Sequence, residues 1–189
     1  MPLKLFKFNE EIINLYNCSS TNDIAKYLIS ENEGRIILSL SQSKGRGRRE
    51  NVWISKPGGL YFSFILKPDF IPSVNQHLSR LTGEVVKDVV MQYLPDSVIT
   101  YKEPNDILVN NKKIAGILIE TSTTGEKNNY IIVGIGINIF NNIPDVGTSF
   151  LKENLINIQR KEILDSFLSV FTNKYNNFLK KNHSWQKGQ

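Results

Sequence analysis

The chain has 189 residues, a hydrophobic fraction of 40% and a formal net charge of +5 at pH 7. This length and apolar content predict one globular domain and exclude a disordered or collagen-like chain. The single cysteine, Cys18, excludes an intramolecular disulfide and any zinc site built on cysteine pairs. We expect it to be a small buried hydrophobic residue. The mild basic charge fits an anionic ligand, nucleic acid or an acidic protein without choosing among them.

Predicted strands and a helix alternate in the first third of the chain. Alternating apolar residues over 3–8 predict a first strand. Residues 19–23 are rich in N-cap residues and predict a helix whose apolar positions continue to residue 29. Apolar runs at 35–41 and 59–66 predict two buried strands on either side of a basic loop.

The remainder of the chain adds two long helices and two pairs of strands. In chain order we predict a helix over 73–94, short strands over 97–101 and 106–109 with an Asn110-Asn111 turn after them, strands over 113–121 and 130–139, and a helix over 160–180. Clustered strands with flanking helices predict an α/β (α+β) domain with a mixed β-sheet.

The basic loop is the first segment that indicates chemistry. It reads Gln42-Ser43-Lys44-Gly45-Arg46-Gly47-Arg48-Arg49, with four cations in six residues, and without a partner it should be extended and mobile. Its glycines allow a close turn around a ligand, and its guanidinium groups can bind phosphate or carboxylate oxygens. A solvated surface loop or a nucleic-acid patch is the alternative. The spacing fits neither a dinucleotide fingerprint nor a P-loop.

Two later segments carry polar side chains beside predicted strands. Asn105 and Asp106, after Pro104, offer hard oxygen ligands for Mg²⁺, although a simple Asx turn would use the same residues. Lys113 opens an apolar strand and could place a fixed positive charge on a developing anion. A solvated surface lysine is the alternative. Gly116 in that strand permits close approach of a ligand or of backbone.

The segment Gly134-Ile135-Gly136-Ile137-Asn138-Ile139 has glycine at alternate positions, which clears one face of its strand. Asn138 lies within an apolar run and needs a partner if it is buried. A ligand or a neighbouring backbone group could supply that partner.

In this order and spacing the segments resemble the biotin–protein ligases. The pieces are Ser20-Thr21-Asn22, the loop from Gln42 to Arg49 followed by Trp53 and Ser55, Gly59-Leu60, Lys102 with Pro104-Asn105-Asp106, Lys113 with Gly116, Leu118 and Glu120, and Gly134 with Gly136 and Asn138. The resemblance implies a catalytic domain shared with lipoate ligases and, distantly, with class II aminoacyl-tRNA synthetases. It also implies two half-reactions. Biotin and Mg-ATP give biotinoyl-AMP, and biotin then passes to a lysine of a biotin carboxyl carrier domain of a carboxylase.

The resemblance also implies roles for individual residues. Biotin would contact Ser20, Thr21, Asn22, Gln42, Gly45, Arg46, Gly47, Arg48, Lys113 and Gly116. ATP would contact Arg46, Trp53, Lys102, Asn105, Asp106 and Asn138, with Mg²⁺ near Asp106. Lys113 and Arg48 would be the catalytic cations, and Trp53 would close over the intermediate.

The sequence departs from the family pattern in three places. Glu103 replaces the usual Trp of the ATP segment, and Glu50-Asn51-Val52 replaces glycine and basic residues. The third departure is the small SH3-like domain that commonly follows the catalytic domain in this family, which we expect to be absent. We expect one catalytic domain over 1–189, with no helix-turn-helix domain before it. A lipoate or octanoate ligase, or a non-catalytic binding protein of this fold, is the alternative. We expect a cytoplasmic protein without a membrane or DNA partner, and the edges of its sheet would allow a homodimer.

Overall fold

The computed structural model describes residues 5–9, 11–30, 33–49 and 51–182. Its strands are β1 (Ile12–Leu15), β2 (Ile36–Ser39), β3 (Leu60–Leu66), β4 (Ile99–Lys102), β5 (Asp106–Val109), β6 (Lys112–Thr124) and β7 (Lys127–Ile137). Its helices are α1 (Thr21–Tyr27), α2 (Asn75–Tyr93) and α3 (Arg160–Asn182). The predicted α/β class with a mixed sheet is confirmed.

The seven strands form one sheet in the order β1-β2-β3-β7-β6-β5-β4. The β1–β2 pair is parallel and the other neighbours are antiparallel. The apolar strands β3 and β7 lie at the centre, where both faces are covered. In the central register, Ser63 pairs with Gly134, and Gly136 lies between Tyr61 and Gly116. This register places small residues of three adjacent strands side by side.

The two faces of the sheet bury different sets of side chains. The larger core packs α2 and α3 on one face and includes Phe62 and Phe64 of β3 with Phe167 and Phe171 of α3. The intervening positions of β3 point to the opposite face, where Ile65 joins a small cluster around Ala25 of α1. The short helix α1 covers only part of this second face, and Trp53 covers the part at Gly116 and Gly136.

The first predicted strand is wrong for the residues that the structure describes. Residues 5–9 lie outside any strand, and their aromatic rings pack on α3, with Phe6 5.1 Å from Tyr175 between ring centroids. The backbone of Phe6 bonds the side-chain amide of Asn176 instead of a strand, donating to Oδ1 (2.7 Å) and accepting from Nδ2 (3.0 Å). The edge strand is β1, and residues 3–4 lie outside the described residues.

Several other expectations can be compared with the structure. Val74, Leu78, Val85 and Val89 are buried beneath α2, as their helical spacing predicts. Asn110 and Asn111 have positive φ, as the turn requires. The hairpin of β6 and β7 extends beyond its predicted strands, through exposed Thr and Ser residues, to a turn at Gly125. Cys18 is half-buried, not buried, because it lies in the loop after β1.

No helix within the described ranges has the length and apolarity needed to cross a membrane.

Candidate active site

The floor of the candidate site is a patch of glycines on the α1 face of the sheet. A Cβ on Gly134 would lie 2.1 Å from Asn22 Oδ1, and one on Gly136 would lie 2.3 Å from Trp53 Nε1. A Cβ on Gly116 would lie 3.0 Å from Trp53 Cζ3. These positions therefore require glycine because two side chains lie directly against the strand backbone.

One end of the cleft is a compact set of buried polar side chains. The Thr21 backbone N–H donates to Gln42 Oε1 (2.8 Å), and the Thr21 hydroxyl lies 3.2 Å from the same oxygen. Ser63, fully buried on β3, has its hydroxyl oxygen 2.7 Å from Thr21 Oγ1 and 2.6 Å from Asn22 Oδ1. A serine hydroxyl has one proton, so it can donate to only one of these oxygens at a time. Thr21 Oγ1 and Asn22 Oδ1 each have two lone pairs, so both keep capacity to accept a hydrogen bond from a ligand.

Trp53 forms the apolar wall of the cleft. Its indole covers Gly116 and Gly136, and its buried Nε1 has no hydrogen-bond partner among the described residues. Its backbone N–H donates to Gly45 O (3.0 Å), which fixes the tryptophan relative to the basic segment. The indole therefore fills the space directly above these two glycines.

Lys113 lies at the start of the interior strand β6 and lines the cleft. Its Nζ is 2.7 Å from Asp106 Oδ1 and 5.1 Å from the centroid of the Trp53 ring. Asp106 Oδ1 also accepts from Asn105 Nδ2 (2.8 Å). The β5–β6 pairing brings these side chains together, and the carboxylate and the ring orient the ammonium group. A cation held in this way is ready to bind an anion without first being ordered.

The basic segment is a small hairpin, not the extended loop that its charge predicts. Residues 45–49 and 51–53 face one another: Gly47 N–H donates to Asn51 O (2.6 Å), and Arg46 pairs with Val52 in an isolated bridge. The Arg46 guanidinium makes two bonds to the Asp23 carboxylate, at 2.8 and 2.6 Å. Asp23 is therefore the partner that holds the basic segment in a compact shape, and the charge pattern of the segment alone did not predict it.

The same ion pair shifts the pKa of both groups. The hydrogen bond from Arg46 holds the pKa of Asp23 below its ordinary value, and the hydrogen bond to Asp23 raises the pKa of Arg46. Glu120 on β6 accepts from Asn22 Nδ2 (2.6 Å) and Lys26 Nζ (2.7 Å). Burial alone would raise the pKa of Glu120, but these two hydrogen bonds outweigh burial and lower it. The ionised forms of Asp23, Arg46 and Glu120 are therefore favoured.

An apolar recess adjoins Lys113 on the side away from the polar end. It is lined by Val52, Trp53, Ile54, Lys113, Asn138, Ile143, Pro144, Val146 and Gly147. Val52 and Val146 are 79% and 85% exposed, so the recess is bordered by apolar side chains in contact with solvent. Such a surface favours a flat apolar group.

Asn138 lines this recess but is bonded within the protein. Its Nδ2 donates to Thr148 O (3.1 Å), and its Oδ1 accepts from Asn141 Nδ2 (3.0 Å). The sequence allowed either a ligand or a neighbouring backbone group as the partner of Asn138, and the structure shows the backbone group, Thr148 O. Asn138 therefore shapes the segment that carries Val146.

The other residues singled out in the sequence lie at different distances from the cleft. Ser20, Thr21, Asn22, Gln42, Arg46, Gly47, Trp53, Asn105, Lys113 and Gly116 all line it. Gly45 is buried behind Trp53. Arg48 is exposed and lines a neighbouring polar groove with Arg80, Glu103 and Asn105. Lys102 is exposed at the end of β4 and is not among the described residues that line the cleft or this groove.

The described residues contain no group of three or more His, Cys, Asp or Glu side chains able to hold a metal ion. Asp106 and Asn105 remain as the hard oxygen donors nearest to Lys113. One carboxylate with an amide oxygen fits the way Mg²⁺ is bound when phosphates and water complete its shell.

Three site residues were missed in the sequence. Ser63 is the polar residue inside the apolar run of β3, a signal that was available but not used. Asp23 lay in the N-cap run, and Glu120 lay in the motif of Lys113 without an assigned role. Their roles depend on partners more than twenty residues away, which local patterns do not indicate.

The fold and the cleft together define a domain of the biotin and lipoate ligase class. Residues 15–138 match the biotin/lipoate A/B protein ligase family, and the chain belongs to that family.

Curated relatives of the chain include proteins named as biotin–protein ligases. The chain is 34% identical over 170 residues to biotin–protein ligase 2 of Arabidopsis thaliana, which covers 85% of this chain and 51% of the relative. It is 32% identical over 171 residues to the bifunctional ligase/repressor BirA of Bacillus subtilis, covering 85% of this chain and 52% of the relative. The chain thus spans about half the length of these curated relatives.

A solved structure supports the same assignment. The biotin protein ligase from Aquifex aeolicus, in complex with biotin and ATP, superimposes with a TM-score of 0.73 at 30% identity. The match covers 92% of this chain and 72% of that one.

Proposed function

We propose that the chain is the catalytic part of a biotin–protein ligase. It would join the carboxylate of biotin to the α-phosphate of ATP and then pass biotin to a lysine of a biotin carboxyl carrier domain, with the cytoplasm as the expected compartment. The observation that carries this proposal is the position of Lys113. Its ammonium group stands between a buried polar pocket end and an apolar recess, held by Asp106 and Trp53.

The polar end of the cleft favours biotin over lipoate or octanoate. The ureido group of biotin carries two N–H donors and one carbonyl acceptor. Thr21 Oγ1 and Asn22 Oδ1 each have two lone pairs beside the Ser63 hydroxyl, so these oxygens have capacity for a ligand donor. A lipoyl or octanoyl chain has no such group and would leave buried polar atoms unpaired, which strongly disfavours binding.

The chemistry of the first half-reaction fits the cations of the site. A biotin carboxylate oxygen forms a bond to the α-phosphorus, the bond from that phosphorus to the bridging oxygen breaks, and pyrophosphate leaves with the electron pair. Lys113 would stabilise the negative charge shared between the carboxylate and the α-phosphate. Mg²⁺ would neutralise phosphate charge, with Asp106 and Asn105 as the fitting donors. Arg48, exposed at the neighbouring groove, would cover the departing phosphates.

The second half-reaction requires access for an amine and exclusion of water. The neutral amine of the carrier lysine attacks the acyl carbon of biotinoyl-AMP, the bond from that carbon to the phosphate oxygen breaks, and AMP leaves. Trp53 and the basic hairpin would shield the anhydride from hydrolysis until the carrier arrives. The recess around Val52 and Val146 would hold the adenine.

Pyrophosphate release with three acids tests the substrate. The purified chain with Mg-ATP should release pyrophosphate with biotin and not with lipoate or octanoate, and a biotin carboxyl carrier domain should gain the mass of one biotin. Release with lipoate but not biotin would establish the lipoate alternative. Binding of biotin without pyrophosphate release would establish a non-catalytic binding protein.

A further inference from the structure

Arg46 binds Asp23 of α1 on the side of the hairpin that faces this helix. Its guanidinium group meets both oxygens of Asp23, at 2.8 and 2.6 Å, which is the bidentate geometry of the strongest ion pairs. The side chains of Arg46 and Asp23 are only 35% and 28% exposed. Such a pair is screened less than one on an open surface. This contact fastens the hairpin to the first turn of α1.

A second carboxylate reinforces the contact from the sheet. Glu120 Oε1 lies 3.7 Å from Arg46 Nη2 and 2.7 Å from Lys26 Nζ, while its Oε2 accepts from Asn22 Nδ2 at 2.6 Å. Asn22 is one of the polar residues at the closed end of the cleft. The network therefore joins the hairpin, α1 and β6 beside the position proposed for the biotin head group.

In this arrangement Arg46 and Arg48 have different surroundings. Arg46 uses two of its five N–H donors on Asp23, and Glu120 Oε1 lies 3.7 Å from Nη2, so two acidic side chains already face its positive charge. Arg48 is exposed, two residues further along the hairpin, at the edge of the polar groove. A hairpin fixed at Arg46 would carry Arg48 and Trp53 in defined positions.

We propose that Asp23 is a positioning residue that fastens the arginine hairpin over the cleft through Arg46, with Glu120 as the second acceptor. Arg46 acts as an anchor and does not contact the reacting phosphate. This inference rests on the proposed function for its effect on biotin activation. The anchor itself belongs to the ligand-free protein and is measured separately.

Limited trypsin digestion measures the anchor without any substrate. Trypsin cleaves after Lys44, Arg46, Arg48 and Arg49, and mass spectrometry identifies the hairpin fragments. Asp23→Asn removes the charge with little change in shape and should speed hairpin cleavage by about fivefold or more, since it removes a charge-assisted bidentate contact. Asp165→Asn breaks the exposed Lys161–Asp165 pair of α3 and is the matched control, with no effect expected on the hairpin. Equal cleavage rates in wild type and Asp23→Asn would overturn the proposal.

A double-mutant comparison separates an anchor from a phosphate ligand. Asp23→Asn, Arg46→Gln and the double variant should raise the KM for biotin and the leakage of biotinoyl-AMP to the same extent, because each breaks one contact. The kcat of pyrophosphate release at saturating substrates should be the same in the three variants. If Arg46→Gln lowers that kcat by about 10²-fold while Asp23→Asn does not, Arg46 is a phosphate ligand and the proposal fails.

The two proposals fail in distinguishable ways. If the wild-type chain makes no adenylate, the proposed function fails, while the trypsin result still decides whether Asp23 fastens the hairpin. If Asp23→Asn does not fold, as judged by circular dichroism, Arg46→Gln tests the same contact from the hairpin side, with cleavage compared after Lys44, Arg48 and Arg49 because this substitution removes the site at Arg46. Unchanged hairpin cleavage in that variant would also overturn the anchor.

Discussion

Replacing Lys113 by glutamine should separate its chemical role from its structural one. The change removes the positive charge that stands 2.7 Å from Asp106 Oδ1 and keeps most of the side-chain length. With an effective dielectric constant of about 20, that distance corresponds to a Coulomb attraction of about 6 kcal/mol. The side chains are 35% and 24% exposed, and desolvation and screening offset most of this attraction. The net cost in the free energy of unfolding should be about 1 kcal/mol or less.

The expected loss of activity is much larger than the loss of stability. A preorganised cation facing charge that develops in the transition state is worth about 3–4 kcal/mol, or about 10²–10³-fold in kcat. Pyrophosphate release with saturating biotin and Mg-ATP measures this loss, and urea unfolding measures the stability. Lys112→Gln, on the exposed neighbouring residue of β6, is the control and should match wild type in both assays. Activity of Lys113→Gln within about tenfold of wild type would refute the assigned role.

Three further predictions concern the floor, the polar end and the anchor. Gly136→Ala places a methyl group 2.3 Å from the Trp53 indole nitrogen, so the ring must move, with altered tryptophan fluorescence and biotin binding weakened by about tenfold or more. Ser63→Ala leaves buried oxygens without their shared donor and should lower the free energy of unfolding by about 1–3 kcal/mol, measured by urea denaturation. Asp23 has a lowered pKa, so its contribution to stability is complete above its ordinary pKa of 3.8 and is lost as pH falls through the lower folded value. The stability difference between wild type and Asp23→Asn should therefore be full at pH 7 and disappear at strongly acidic pH.

Each of these three predictions has a contradicting outcome, and the Ser63 substitution also has a matched control. Ser73→Ala, on an exposed turn, should leave the free energy of unfolding unchanged. An equal loss in both serine variants would mean that the buried Ser63 hydroxyl contributes no more to stability than an exposed one. Unchanged fluorescence in Gly136→Ala would show that Trp53 does not rest on the glycine floor. A stability difference for Asp23→Asn that persists at acidic pH would show that charge is not what Asp23 contributes.

Elements with strong local signals were predictable from the sequence. The helices α2 and α3 follow from apolar residues at helical spacing, and β3 and β7 follow from long apolar runs. β1 was missed because four residues beside a partner strand give little periodic signal, and its location depends on parallel pairing with β2. Phe6 and Phe8 alternate like a strand but are aromatic contacts for α3, since their register is set by packing and not by a ladder.

The candidate site was predictable as a set of motifs but not as a geometry. Alternating Gly134 and Gly136 indicated a cleared strand face, yet only the register shows that Gly116 extends the same floor. The arginine segment was expected to be extended because like charges repel. Its actual shape depends on Asp23, which is distant in sequence and close in space. Long-range ion pairs of this kind cannot be derived from the charge pattern of one segment.

Mass spectrometry of small molecules retained by the purified protein tests the central claim most directly. After incubation with biotin and Mg-ATP and rapid removal of free ligand, the wild-type chain should retain biotinoyl-AMP, and Lys113→Gln should retain biotin without the adenylate. Retention of neither biotin nor biotinoyl-AMP by the folded wild-type chain would contradict the account.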